Sequence, residues 1–305
     1  CLLLFILFIQ ARASSFMPAV TNYLAKDYEA GYQNWACAQG SNGEMYFGNS
    51  QGLLVYDGYR WTLHKVPGNH IVRSVYVKED RIYVGAFEEF GYFKYSEAGT
   101  LRYHSLSKFL KNFPMENNEI WNIVELDGRI YFQSFSAWFS YDGKMVRAFR
   151  NRQQQPLYFY TQNGHIYTQM IDEDFYEFDG KDFHHLFPRS QVNDDNVVSL
   201  LPDGDDSFLM VTENNGLFRY NGDITPWKTD IDTELKKQRV NRAVMTNDSI
   251  FMIGTVLNGI YAIDRKGHCL WHFNLDNRLD NNTVLGLFCD CLLYTSPSPR
   301  DRQKS

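Results

Sequence analysis

The chain has 305 residues and a formal net charge of −6, with 44% hydrophobic and 16% aromatic residues. An acidic chain without a basic stripe lacks the clustered Lys and Arg that neutralise phosphates, which excludes nucleic-acid binding by this segment. Abundant Tyr, Phe and Trp favour half-buried β-sheet surfaces, and long helical stretches are absent from the pattern. Three cysteines in the part expected to be mature, Cys37, Cys269 and Cys289, do not make a disulfide framework.

The first thirteen residues have the pattern of a secretory signal peptide. An apolar run from Leu2 to Ile9 is too short to span a bilayer as a helix. Ala11-Arg12-Ala13 follows it and fits a small-x-small cleavage site. We therefore expect residues 1–13 to be a signal peptide and the mature protein to be exported. Residues 14–34 form a lead-in, and one alternative is that they add an outer closing strand to the fold.

A two-part phrase then recurs six times. Its second part, an aromatic or Ile usually followed by Asp or Asn and Gly, comes some eleven to thirteen residues after the first, as in Tyr56-Asp57-Gly58. Its first part is a polar turn leading into an apolar pair, anchored at Met45, Ile82, Ile130, Ile166, Phe208 and Ile250. The anchors step by 37, 48, 36, 42 and 42 residues. A period near forty built from strands and turns is typical of a β-propeller with one four-stranded blade per repeat.

We expect an all-β fold with six complete four-stranded blades and the start of a seventh. Strand and turn signals place the propeller at residues 35–290, with blades near 35–66, 71–106, 119–151, 156–188, 196–230 and 240–274 and a partial blade at 281–290. A propeller closes by completing its last blade. The intact ring is therefore expected to have seven blades, the last completed by downstream sequence.

The end of the chain does not continue the repeat. Residues 291–301 resemble what one reading frame of a common sequencing adapter encodes. Residues 291–305 also contain two prolines, three basic residues and no strand alternation. We interpret residues 291–305 as a non-native tail.

The first repeat resembles the two-component regulator propeller repeat. Residues 34–58 follow its order of polar-hydrophobic strand, Asn-Gly turn, aromatic strand, Gly-Leu and Tyr-Asp-Gly, although Tyr46 stands where that family commonly has Trp. Blades five and six keep the Asn-Gly-hydrophobic element, whereas blades two and four depart from it. The resemblance implies an exported sensor propeller on the periplasmic side of the cytoplasmic membrane. In that family a triple-tyrosine immunoglobulin-like domain and a transmembrane helix follow, and the protein ends in a histidine kinase or a helix-turn-helix DNA-binding domain.

Three functional classes remain open from the sequence. The first is a sensor that binds a carbohydrate and signals to a transcriptional output, with a homodimer as one state of the full-length protein. The others are an exported protein-binding scaffold and a propeller glycan lyase or hydrolase. Metal-ligand spacings, a nucleophile elbow and a phosphate loop are all missing from the sequence. We therefore expect no cofactor, no metal and no catalytic residue in this segment.

The candidate ligand site lies where the loops between second and third strands meet the entries to the first strands. Rings that stack on sugar C–H faces, beside polar groups that bind hydroxyls, suit a carbohydrate. Trp121 and Phe135 are the predicted stacking surface, and Arg73 and Arg242 are predicted to hold a uronic or sulfated group. The candidate polar partners are Glu88, Glu89, Asp172 and Asp174. The alternatives are that Trp121 packs between blades and that the carboxylates are solvated loop charges.

Overall fold

The computed structural model describes residues 18–289 except 116, 152, 205, 206 and 248. Within this part the chain forms six four-stranded antiparallel sheets, each a meander in sequence order. This confirms the predicted all-β propeller with six four-stranded blades. The predicted signal peptide and the predicted tail lie outside the described residues. None of the described helices has the length and apolar character that crossing a membrane needs.

The first three blades contain the first twelve strands. Blade 1 is formed by β1 (Asn34–Gln39), β2 (Met45–Asn49), β3 (Gly52–Tyr56) and β4 (Trp61–His64). Blade 2 is formed by β5 (Val72–Lys78), β6 (Arg81–Ala86), β7 (Phe90–Tyr95) and β8 (Leu101–Ser105). Blade 3 is formed by β9 (Asn122–Leu126), β10 (Arg129–Gln133), β11 (Trp138–Tyr141) and β12 (Val146–Phe149).

The last three blades repeat this order. Blade 4 is formed by β13 (Pro156–Gln162), β14 (His165–Met170), β15 (Phe175–Phe178) and β16 (Phe183–Phe187). Blade 5 is formed by β17 (Val197–Pro202), β18 (Phe208–Thr212), β19 (Leu217–Tyr220) and β20 (Ile224–Trp227). Blade 6 is formed by β21 (Val240–Met245), β22 (Phe251–Thr255), β23 (Ile260–Ile263) and β24 (Cys269–Phe273). The short helix α1 (Ala25–Tyr28) precedes blade 1, and α2 (Asp232–Gln238) joins blades 5 and 6.

The Asp of the repeated phrase closes the turn between the third and fourth strands. The Asp57 carboxylate accepts hydrogen bonds from the backbone N–H groups of Tyr59 and Arg60, at 2.8 and 2.7 Å. Asp142 accepts the same pair of bonds in blade 3. These backbone donors favour the charged form and hold the pKa of both carboxyls below its ordinary value. The repeat is therefore a turn signal with a physical cause.

The core lies between the blades. Apolar side chains project from both faces of the sheets, and five clusters of buried residues fill the interfaces between successive blades from blade 1 to blade 6. Between blades 2 and 3, the ring of Phe90 lies 4.5 Å from that of Phe132 and 4.9 Å from that of Phe139, centroid to centroid. Each blade is consequently buried by its neighbours rather than by a core of its own.

The first strand of every blade is the innermost one. All six first strands, together with residues 286–288, line a central cavity of about 450 Å³. Each first strand runs from a face that also carries the loops between second and third strands. The residues that open the first strands therefore gather around one mouth of the channel.

The residues before blade 1 form a strap, residues 18–33, across the outer face of that blade. The ring of Trp61 lies 5.3 Å from that of Tyr23 and 5.6 Å from that of Tyr28. Asn22 donates a hydrogen bond to the carbonyl of Arg278, which ties the strap to the chain after blade 6. Residues 18–33 contain no strand, and the alternative of a closing strand stays a prediction. Part of their backbone is occupied by α1 and by the side chain of Asn49, which bonds both polar groups of Gly31.

The chain after blade 6 carries no strand among residues 274–289. Its backbone nevertheless follows blade 6, since the Val284 N–H donates to the carbonyl of Thr255 at 2.9 Å and the Gly259 N–H donates to the carbonyl of Asn282. The predicted seventh first strand is thus not formed in the described residues. A first strand needs a second strand beside it, and none follows in the described part of the chain.

Replacing Phe132 by Ala should lower the free energy of unfolding by about 3–5 kcal/mol, because it opens a cavity in the interface between blades 2 and 3. Urea denaturation monitored by Trp fluorescence would measure the loss. The matched control is Phe109→Ala, since Phe109 is 57% exposed whereas Phe132 is fully buried. Equal losses for the two variants would contradict inter-blade packing as the main source of stability.

Removing Tyr28 from the strap should cost about 2–4 kcal/mol, because a buried ring and its aromatic contact with Trp61 are both lost. The comparison is Tyr32→Ala, which truncates a side chain that is 90% exposed in the same segment. Thermal melts of the two variants measure the difference. If Tyr28→Ala melts at the temperature of Tyr32→Ala, the strap does not hold the outer face of blade 1.

Candidate functional site

The mouth of the channel is shaped by irregular first strands. The first strand is bulged near its mouth end in blades 1, 2, 4, 5 and 6. The bulges lie at or beside Trp35, Arg73, Tyr158, Val198 and Asn241. A bulge disturbs the alternation of the strand and re-aims the side chain it contains. Large side chains that a regular strand would bury between blades therefore line the mouth.

Arg73 is held between two tryptophans at this mouth. Its guanidinium carbon lies 3.8 Å from the ring centroid of Trp35 and 4.9 Å from that of Trp121. Its Nε donates to the carboxylate of Glu119 at 2.5 Å. The Arg73 and Glu119 side chains are only 14% and 20% exposed, so this ion pair is largely removed from water. Both stacking and the ion pair fix the plane of the guanidinium.

The aromatic contacts continue around the ring. Phe135 stacks on Trp121 with the centroids 5.5 Å apart and the planes at 17°. Tyr158 meets Phe135 edge-on at 5.7 Å, and the guanidinium of Arg242 lies 4.8 Å above Tyr158. We call this set the girdle; it comprises Trp35, Arg73, Trp121, Phe135, Tyr158 and Arg242. The structure thus brings together the four predicted residues Trp121, Phe135, Arg73 and Arg242.

The four predicted carboxylates lie away from the girdle. Glu89 accepts hydrogen bonds from three hydroxyl groups, those of Tyr103, Ser105 and Ser107, at 2.8–3.0 Å. These donors come from β8 and the turn after it, so Glu89 faces the outer strand of blade 2. Glu88 sits in the adjoining loop with a left-handed backbone, φ 54°, and its carboxylate accepts from the N–H of Asn117.

The two aspartates of blade 4 are also engaged locally. Asp174 accepts the N–H of Arg189 at 2.9 Å and lies 3.0 Å from the Nε2 atom of His185. Asp172, with a left-handed φ of 58°, lies 3.7 Å from the Arg189 guanidinium. These carboxylates stand on the rim of the same face, where they order the loops between second and third strands.

Two residues of the mouth were missed by the sequence reasoning, Tyr158 and Arg239. Tyr158 follows the entry residue Leu157 just as Arg73 follows Val72, so aligning the first strands of the repeats would have found it. Arg239 has no such signal, because it follows helix α2 rather than a repeat turn. It forms an ion pair with Glu213 at 2.5 Å.

Trp35 and Trp121 line the central cavity, and both rings also contact Arg73 of the neighbouring blade 2. Trp121 therefore faces the channel and contacts another blade at the same time. The Trp35 indole N–H is buried without a hydrogen-bond partner, as is the Nη1 atom of Arg73. Buried donors without partners are uncommon, and they can bind a ligand that offers acceptors. In the described part of the chain, no group of three His, Cys, Asp or Glu side chains is placed to hold a metal ion.

The wall of the channel should protect Cys37. Burial raises the pKa of its thiol to about 12, so that only about 10⁻⁴ of it is thiolate at pH 8. Iodoacetamide at pH 8, followed by peptide mapping, should modify the exposed Cys269 at least tenfold faster than Cys37. Equal rates would show that the first strands separate readily and leave the channel open.

Comparisons with known proteins identify the fold. No protein-family model matches the chain, and neither does any curated protein sequence. The extracellular domain of the hybrid two component system BT4673 from B. thetaiotaomicron superposes with a TM-score of 0.67 at 18% identity, covering 86% of this chain and 36% of that one. The corresponding domain of BT3049 gives 0.62 at 16% identity, covering 85% and 38%. Virginiamycin B lyase from Staphylococcus aureus gives 0.65 at 12% identity, covering 88% and 91%.

Identities at this level establish architecture and leave ligands and activities open. The chain spans little more than a third of the length of the two B. thetaiotaomicron chains. Its fold is therefore the β-propeller that extracellular domains of hybrid two-component systems also contain.

Proposed function

We propose that this chain is the ligand-sensing propeller of an exported, membrane-anchored regulator, and that it recognises a carbohydrate at the channel mouth. The observation that carries the proposal is the girdle, where Trp121 and Phe135 stack beside the arginine held between two tryptophans. Flat rings accept the C–H faces of a sugar, and the adjoining polar groups bind its hydroxyls. Glu88, Glu89, Asp172 and Asp174 are proposed as contacts for sugar units that extend over the rim.

The regulatory part of the proposal is supported by the shared fold and by the repeat. The structural neighbours BT4673 and BT3049 are extracellular domains of hybrid two component systems. The pattern of residues 1–13 supports export through a signal peptide. Membrane anchoring, and an output through a kinase or a DNA-binding domain, rest on the resemblance of the repeat to regulator propellers. A homodimer of the full-length protein belongs to the same proposal.

A seventh blade is also proposed, beginning within residues 281–289. The Val284 N–H bonds the carbonyl of Thr255 in blade 6, as the Ile120 N–H bonds that of Ala86 in blade 2. Val284 thus repeats a contact by which another blade is entered. An apolar groove of about 470 Å³ lies on the adjoining face of blade 6, where Met252, Trp271 and Phe273 are among the lining residues. A seventh blade would pack on this face as the other blades pack on one another.

Carbohydrate binding is tested by calorimetric titration of the chain with a panel of oligosaccharides, followed by the best binder with Trp121→Ala. We expect an affinity loss of about five- to thirtyfold, since aromatic stacking in a site of this kind contributes on the order of 1–2 kcal/mol. Tyr59→Ala is the control, because Tyr59 is 91% exposed in a turn at the opposite end of the strands. If a folded Trp121→Ala variant binds as tightly as the parent, the ligand does not bind at this mouth. A panel without any binder would favour a protein-binding scaffold.

A further inference from the structure

A second cavity opens from the channel mouth at the seam of the ring, and we call it the seam pocket. It has a volume of about 180 Å³ and is lined by Trp35, Arg239, Asn241, Arg242, Thr283 and Leu285, among others. Trp35 belongs to blade 1, whereas Asn241 and Arg242 belong to blade 6. Thr283 and Leu285 belong to the segment that runs between those two blades. The pocket is therefore lined by blade 1, by blade 6 and by the segment between them.

The seam pocket is cationic. Arg73 also lines it, so three guanidinium groups face one small cavity whose described lining contains no carboxylate. Arg73 and Arg239 are each paired with a carboxylate, Glu119 and Glu213, outside the lining. Arg242 has no carboxylate partner among the described residues. Its polar contact there is the carbonyl of Asn241 at 3.4 Å, and its flat face lies over Tyr158.

Two buried donors belong to residues that line the same pocket. The Nη1 atom of Arg73 and the indole N–H of Trp35 are buried and unpartnered. Guanidinium groups match the two oxygens of a carboxylate or a sulfate, and an unpaired guanidinium in a partly enclosed site gains more from an anion than it would in water. Arg242 thus lies without a carboxylate partner among the described residues in a net positive pocket, in a protein whose formal net charge is −6.

The segment with residues 283–286 completes the lining of the pocket between blades 6 and 1. Asn241 donates from its side chain to the carbonyl of Val284 at 2.6 Å, and the Thr283 hydroxyl donates to the carbonyl of Val256 at 2.9 Å. On the other side, Gly286 lies so close to the carbonyl of Trp35 that an added Cβ would stand 3.0 Å from that oxygen. The segment is thus wedged between blades 6 and 1 without a strand ladder of its own.

We propose that the seam pocket binds the carboxylate or sulfate of an acidic saccharide, with Arg242 as its principal partner. The saccharide part of this inference rests on the proposed function. Arg242 lines the pocket without a carboxylate partner among the described residues, and its guanidinium can bind both oxygens of the anion. Arg73 and Arg239 line the same pocket and add positive charge, although each is already paired with a carboxylate. The pocket should therefore select acidic saccharides over neutral ones.

The binding experiment compares four probes by calorimetry on the chain: a galacturonate trisaccharide, a sulfated disaccharide, neutral galactotriose and sodium acetate. We expect the acidic saccharides to bind at least tenfold more tightly than galactotriose. Arg242→Gln should weaken the acidic probes by about ten- to a hundredfold, as expected for a hydrogen-bonded charge pair, and should weaken galactotriose by at most about fivefold, the effect of one uncharged hydrogen bond. The affinity of Arg242→Lys for the acidic probes should lie between those of the parent and of Arg242→Gln. Lysine keeps the positive charge but lacks the planar guanidinium that binds two oxygens at once.

The matched control is Arg81→Gln. Arg81 also stacks at 4.8 Å on a tyrosine, Tyr92, and it pairs with Lys78 at the end of β5 opposite to the mouth. The Arg81→Gln variant should bind every probe with the affinity of the parent. Melting temperatures equal to that of the parent show that the Arg242 variants fold. If only Arg242→Gln melts at a lower temperature, the affinity of Arg242→Lys for the acidic probes tests the anion site. Parent affinity for the acidic probes in both Arg242 variants overturns the anion site.

Two further outcomes of the titration separate the anion inference from the proposed function. Equal affinity for acidic and neutral probes overturns the anion inference and supports the proposed function. Binding of acetate alone, without any saccharide, supports the anion site and removes the carbohydrate function.

Discussion

Apolar packing between the faces of successive blades is the interaction on which the rest of the structure depends. A four-stranded sheet with apolar side chains on both faces cannot bury them alone, so every blade needs two neighbours. Five such interfaces are filled by buried clusters between blades 1 and 6. The pairs Phe90–Phe132 and Tyr131–Phe178, with centroids 4.5 and 5.6 Å apart, show how closely rings of neighbouring blades meet. Radial packing of this kind turns all the first strands inward, and the central channel is its consequence.

The channel in turn makes the candidate site. Side chains that enter first strands of different blades are distant along the chain, yet they converge at one mouth. Bulges in five of the six first strands release the large residues there from the alternation that buries their neighbours. Arg73 then lies between Trp35 and Trp121, and Arg242 lies over Tyr158. The girdle is therefore a property of the ring rather than of any one blade.

Apolar packing between blades is least complete at the seam, between blade 6 and blade 1. Blade 1 and blade 6 each have one face without a neighbouring four-stranded blade in the described part of the chain. On blade 1 the strap covers that face with Tyr23 and Tyr28. On blade 6 the apolar groove is lined in part by residues 287–289 and 18–20. A region held by side chains and single backbone bonds has a lower local stability than a strand ladder.

The sequence alone determined the blades, because strand alternation, turns and their period are local properties. The six anchors from Met45 to Ile250 fall on or beside second strands, and Asp57 closes its turn through its own neighbours. The sequence also proposed Trp121, Phe135, Arg73 and Arg242 as one surface, since strand entries share a face. Tertiary structure alone decided the rest. Glu89 accepts hydrogen bonds from three hydroxyls that follow β7 in the chain. The strap packs on blade 1 through its aromatic rings and forms no strand. Thr283 and Leu285 line one pocket together with Arg242 and Trp35. Those contacts join segments that have no shared periodicity, so only the closed ring brings them together.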